Sequence, residues 1–160
     1  MSIRILTTGG TIDKVYFDQK SSFQVGEPQI LEVLREVNVT VPYALTPLLR
    51  KDSLEMTASD RQLIRQAAEE ATESRILITH GTDTMVETAR ALQGLAGKTI
   101  VLTGAMQPAR FRQTDAVFNI AAAFTAVQLL PPGVYIAMNG RLFDPAQVRK
   151  NVEANRFETP

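Results

Sequence analysis

The chain contains no cysteine, which removes disulfide bonds and thiolate metal ligation together. Its single histidine makes a histidine-rich metal centre impossible, so the default chemistry is metal-free and no cofactor is expected. Neither sign of charge is in excess: 17 Lys and Arg stand against 17 Asp and Glu, leaving no net field to recruit nucleic acid or an anionic membrane. No stretch reaches the roughly 18 uninterrupted apolar residues of a membrane span. The run from Ser2 to Thr7 is also too short for a signal-peptide core, so a cytoplasmic compartment is expected. Internal repeats, linkers and low-complexity tracts are missing as well. What is present is 160 residues at 44% hydrophobic content, enough for one globular domain with a real core and too little for two.

Short β-like runs alternate with longer helical patterns. Residues 3–6, 39–45, 75–79, 99–102 and 134–138 read as strands, the first stopped by Gly9 and Gly10 and the second by Pro47. Pro28 opens a helix through Ile30, Leu31, Val33, Leu34 and Val37. A second helix covers about 60–73, capped by Thr57 or Ser59, with an apolar stripe of Leu63, Ile64, Ala67, Ala68 and Ala71. A third covers about 84–95, ended by Gly94 and Gly97, and a strongly apolar fourth covers 115–130. Residues 13–27, with Tyr16, Phe17, Phe23 and Gly26, read as an active-site loop and not a packed element. The tail from 144 to 160 is polar, with scope for helical turns. This alternation predicts an α/β fold: a single domain with a parallel, flavodoxin-like, doubly wound sheet and helices on both faces.

Two threonine-bearing turns follow strands directly, TTGGTID at Thr7 to Asp13 and HGTDTM at His80 to Met85. They bring two hydroxyls and a carboxylate, Thr11, Thr82 and Asp83, to strand ends, where an open α/β sheet places its ligand site. A hydroxyl-nucleophile amide hydrolase needs those groups. Each feature also has a plainer reading. The glycine pair suits a tight turn of positive φ, and the chain has neither G-x-x-x-x-G-K-[ST] nor a complete G-x-G-x-x-G, so a phosphate cradle is unsupported. Thr82 or Asp83 suits a helix N-cap. His80 suits a packed, hydrogen-bonded structural role. The TGAM turn at 103–106 suits an ordinary strand-to-helix connection, the Lys51-Asp52-Ser53 set a surface loop, and Lys150 a solvated position.

Taken together the segments resemble the bacterial-type L-asparaginase (asparaginase/glutaminase) family. The matching strings are TTGGTI at 7–12, KDSLEM at 51–56, HGTDTM followed by ET at 80–88, LTGAMQP at 102–108, the strand end at 137–140 and QVRKN at 147–151, in family order over essentially the whole chain. The resemblance implies the fold of the family's amino-terminal domain over residues 1–160, with the smaller carboxy-terminal domain of ordinary members absent. It implies hydrolysis of L-asparagine to L-aspartate and ammonia without a cofactor. Thr11 matches the nucleophile; Thr82 and Asp83 match the second catalytic segment, with Lys150 as the basic partner of Thr82. Ser53 matches the residue that holds the substrate carboxylate, Asp83 also the anchor for its ammonium, and Ala105 the backbone carbonyl near the amide. The family's flexible-loop tyrosine precedes a V-G pair, where this chain has Phe23-Gln24-Val25-Gly26; Tyr16 is the expected replacement. Leu54 stands where many members have a glutamine. A homodimer is expected, through the apolar helix around 118–130 and the last strand. Two other classes stay open: an amidohydrolase acting on a different amide, and a catalytically silent amino-acid-binding domain.

Overall fold

The structure, a computed structural model, describes residues 1–16 and 23–160. In chain order its elements are β1 (Ile3–Gly9), a 3-10 turn (Thr11–Asp13), β2 (Lys14–Tyr16), β3 (Phe23–Val25), α1 (Ile30–Glu36) and β4 (Tyr43–Lys51). A second 3-10 turn (Ser53–Glu55), α2 (Ala58–Glu70), β5 (Arg75–Thr79), α3 (Met85–Ala91), β6 (Thr99–Thr103) and α4 (Ala116–Leu129) follow. The chain ends with β7 (Gly133–Met138), β8 (Arg141–Phe143), a third 3-10 turn (Pro145–Gln147), β9 (Arg149–Asn151) and β10 (Arg156–Glu158).

One sheet runs in the order β4-β1-β5-β6-β7-β8, parallel throughout except for the antiparallel β7–β8 pair. Its parallel strands, renumbered in chain order, run 2-1-3-4-5, the flavodoxin arrangement, and the winding direction reverses between β1 and β5. The crevice at the carboxyl ends of those two strands is therefore the place where the topology leaves room for a ligand.

The alternation along β1, β5 and β6 sorts the core into two layers. Leu6, Ile76, Ile78, Ile100 and Leu102 face α2 and α3, and Ile3, Ile5, Leu77 and Val101 face α1 and α4. Because helices cover both faces, these strands are apolar at nearly every position. A capping box starts α2: the Thr57 side chain accepts from the Asp60 N–H and the Asp60 carboxylate accepts from the Thr57 N–H. Among the described residues no helix is long and apolar enough to cross a membrane.

Several sequence expectations need correction. β4 begins at Tyr43 and passes through Pro47 instead of stopping there, because it is an edge strand and the missing N–H can face outward. The stretch 13–27 is not wholly irregular: Lys14–Tyr16 and Phe23–Val25 pair as an antiparallel hairpin, while Phe17 lies outside the described residues. Pro28 precedes α1, whose N-cap is Gln29. On α2, Leu63 points to solvent; Ile64 and Ala68 make the buried contact. α3 ends at Ala91, ahead of two glycines at positive φ. β8 adds an antiparallel edge that the parallel expectation lacked, and the tail forms the hairpin β9–β10 in addition to a 3-10 turn.

Candidate active site

Four strand-end turns converge at the crevice, and glycine is what lets them touch. A Cβ on Gly10 would run into the backbone of Gly81, and one on Gly104 into the His80 carbonyl. A Cβ on Gly81 would lie 2.6 Å from the Ser53 Cβ. Gly10 also holds φ at 88°, open to glycine at little cost. Backbone bonds seal the contacts: Gly10 N donates to Lys51 O at 2.9 Å and His80 N to Thr103 O at 2.9 Å. Thr8 adds a side-chain tie, its hydroxyl donating to Thr79 O at 2.8 Å. The residues that follow these glycines, Thr11, Thr82 and Ala105, are thereby gathered around one point with Ser53.

Lys150 comes from the far end of the chain. Its Nζ donates to Thr82 Oγ1 at 2.7 Å and pairs with Asp83 Oδ1 at 2.7 Å. Thr82 is nearly covered, at 6% exposure, whereas Asp83 is open to solvent. Lys150 lies on β9, and the β9–β10 hairpin is clamped by Glu158, which accepts from Asn151, Arg149 and Arg156. Those hydrogen bonds, that of Asn151 foremost, hold the Glu158 carboxyl down to about 2. The tail thus becomes a hydrogen-bonded arm that delivers one ammonium group, in place of the solvated position a polar segment suggests.

Ser53 is buried, and its hydroxyl accepts from Thr84 N at 3.2 Å while its carbonyl accepts from Thr84 Oγ1 at 2.8 Å. Its hydroxyl hydrogen is still free to be donated. Leu54 beside it is exposed. Ala105 is buried in a turn fixed by Asp115, whose carboxylate accepts from the N–H groups of Met106 and Gln107. Asn119 braces the same turn from α4 by donating to Gly104 O at 2.9 Å. Tyr16, at the end of β2, is 55% exposed and packs edge-on against Phe23, ring centroids 5.6 Å apart; Phe23 in turn meets Phe111 at 5.6 Å.

Two buried ionisable groups adjoin the turns. His80 is fully enclosed, in keeping with the structural role its strand-end position suggests, and burial depresses its imidazole to about 4. Asp13, which no sequence signal singled out, is 2% exposed. Burial pushes its carboxyl up to about 7, against the lowering effects of the Gln29 N–H it accepts at 2.9 Å and of the Arg50 charge. Its backbone carbonyl accepts from Gly26 N, so one residue joins the Thr11 turn, the β2–β3 hairpin and the start of α1. Only an acid placed directly after the apolar Ile12 could have hinted at it. Among the described residues no three His, Cys, Asp or Glu side chains gather where they could hold a metal ion.

The family model for the amino-terminal domain of asparaginase matches residues 2–159. An L-asparaginase from Thermococcus kodakarensis is 30% identical over 99% of this chain and 51% of its own length. A Glutamyl-tRNA(Gln) amidotransferase subunit from Methanococcus vannielii is 31% identical over 89% of this chain and 35% of its own. The chain thus spans about half the length of the L-asparaginase and a smaller share of the amidotransferase subunit. Among solved structures, that of the Thermococcus kodakarensis L-asparaginase superposes with a TM-score of 0.85 at 27% identity, covering 99% of this chain and 51% of that one. L-asparaginase I from Vibrio cholerae gives 0.84 at 28% identity, with the same two coverages. By sequence and fold, the chain belongs to the asparaginase family and corresponds to that family's amino-terminal domain.

Proposed function

We propose that residues 1–160 act as one catalytic domain that hydrolyses L-asparagine to L-aspartate and ammonia in the cytoplasm, with Thr11 as nucleophile. The observation that carries this reading is Lys150 Nζ, 2.7 Å from both Thr82 Oγ1 and Asp83 Oδ1, in a turn nested against the one bearing Thr11. In this mechanism the Thr11 hydroxyl attacks the side-chain amide carbon and gives its proton to a base, the role allotted to Tyr16 as its phenolate, which becomes the phenol. The tetrahedral intermediate then breaks its C–N bond; nitrogen takes that proton back from the Tyr16 phenol and leaves as ammonia, and the acyl group stays as an ester on Thr11. Water, activated through Thr82 with Lys150 behind it, hydrolyses the ester and restores the hydroxyl. The Asp83 carboxylate receives the substrate ammonium, Ser53 donates its hydroxyl to the substrate carboxylate, and the Ala105 carbonyl faces the amide nitrogen. Lys150 works as a base only as the neutral amine.

The same proposal includes a homodimer. α4 is apolar on nearly all sides, yet Phe118 and Leu129 are 63% and 79% exposed, and Leu142 of β8 lines the same apolar hollow as Leu129.

The deciding experiment is ammonia release from L-asparagine by the purified chain. Turnover supports the proposal; no turnover and no thermal protection by asparagine or aspartate ends it. A second reading is favoured by the amidotransferase relatives: the same chemistry on a different amide, as part of a larger assembly. A panel of amides separates the two. Protection by aspartate without turnover on any amide would instead mark a silent amino-acid-binding domain.

A further inference from the structure

We infer that Arg61, Thr88 and His80 form a one-way chain of hydrogen-bond donors that ends on the Gly81 carbonyl and sets the orientation of the Gly81–Thr82 peptide. Arg61 Nε lies 3.2 Å from Thr88 Oγ1, Thr88 Oγ1 lies 2.7 Å from His80 Nε2, and His80 Nδ1 lies 2.7 Å from Gly81 O. The direction of each link is set from the carbonyl end. A guanidinium only donates and a carbonyl only accepts. Nδ1 therefore carries the ring hydrogen toward Gly81, which leaves Nε2 of the neutral ring bare; Thr88 accepts from Arg61 and gives its single O–H to Nε2 at 2.7 Å in preference to Met56 Sδ at 3.7 Å. The opposite tautomer would let Nε2–H donate to Thr88 Oγ1 or to Met56 Sδ, 2.7 and 3.1 Å away, but it would leave the Nδ1 lone pair facing the Gly81 oxygen lone pairs. A second charged group, Glu87, pairs with Arg61 at 3.3 Å and keeps the guanidinium turned toward Thr88 from the solvent side.

The chain matters because of what it holds. Thr88 and His80 are fully buried, and the three residues come from α2, α3 and the end of β5, so the relay ties both helices of one face to the turn. Gly81 is already pressed against Ser53 and Gly10; the bond from His80 fixes the remaining freedom, rotation of its peptide plane. Thr82 hangs from that peptide, and its hydroxyl must stay on Lys150 Nζ. Arg61, Thr88 and His80 are thus positioning residues for the site. The consequence for turnover rests on the function proposed above; the tautomer does not.

The test reads the ring directly. Because the chain has one histidine, its imidazole nitrogens give unambiguous 15N–1H correlations in the intact protein. Wild type should show a protonated Nδ1 and a bare Nε2, unchanged on lowering the pH from about 7.5 to about 5.5, where an unperturbed imidazole near 6.5 would titrate. An Nε2–H tautomer, or a midpoint near 6.5, overturns the inference whatever the activity. In ammonia release, Thr88→Val should lower kcat by roughly ten- to a hundredfold with little change in KM, as expected of a displaced reacting group, and Thr88→Ser should restore it. Equal kcat in Thr88→Val and wild type, in a preparation where Thr11→Ala abolishes turnover, also overturns it. If the parent releases no ammonia, the ring signals decide alone, and since they need only wild type, a misfolded variant cannot obscure them.

Discussion

Replacing Asp13 by Asn tests the energetics of the buried floor of the site. Burial raises this carboxyl from 3.8 to about 7 in the folded chain, so above 3.8 the unfolded chain gives up a proton that the folded chain retains. The contribution of Asp13 to stability is therefore complete below 3.8 and is lost as pH rises to about 7. At about 1.36 kcal/mol per pKa unit, the loss totals roughly 4 kcal/mol. His80 runs the other way. Its value falls from 6.5 to about 4, so its stabilisation is complete above 6.5 and is lost as pH falls to about 4. Across the shared window the two slopes oppose each other, and the parent should show little dependence from this pair. Asn at position 13 keeps an oxygen for the Gln29 N–H but cannot ionise. The stability of Asp13→Asn relative to the parent should therefore grow by roughly 3 kcal/mol between about pH 4.5 and about pH 7.5. Urea unfolding midpoints for both proteins across that range measure it. The Asp60, Glu73 and Glu158 carboxyls, all held below their ordinary values by hydrogen bonds, act equally in both proteins and cancel. A gap between the two proteins that does not change with pH would refute the reasoning.

Thr11→Ala and Thr82→Ala should each reduce ammonia release by at least about a hundredfold with the fold retained by circular dichroism; near-normal turnover in either removes its assigned role. Tyr16→Phe should damage turnover more than Phe23→Leu, since only the phenol exchanges a proton, and the reverse ranking moves that role elsewhere. Gly10→Ala should cost at least about 2 kcal/mol in chemical denaturation, because its Cβ meets the Gly81 backbone at positive φ; an unchanged midpoint would mean the turns are not nested as described. Light scattering at micromolar concentration should give the mass of a dimer, and Phe118→Lys should shift it to that of a monomer if the exposed face of α4 forms the contact.

Much of the architecture is local, and for that reason legible in the sequence. β5 is bounded by its apolar run alone, because burial acts within a few residues, and α2 is located by the same local signals, although it runs Ala58–Glu70 instead of about 60–73 and its stripe wrongly includes Leu63. The order of the threonine-bearing turns likewise carried the family resemblance. Pro47 misled because a proline says only that one N–H is missing; whether that matters depends on β4 lying at the sheet edge, a property of the assembled sheet. The short strands β8, β9 and β10 carry too few residues for a period to declare itself, and they form because partners from elsewhere pair with them. The same holds within the site. Residue types and spacing singled out Thr11, Thr82 and Asp83, but that Gly10 nests on Gly81, that Lys150 reaches across 68 positions to Thr82, and that Asp13 and His80 lose their water are results of packing. Composition and periodicity decide which surfaces are buried; which groups meet there, and in what state of charge, is decided only when the sheet has brought distant turns together.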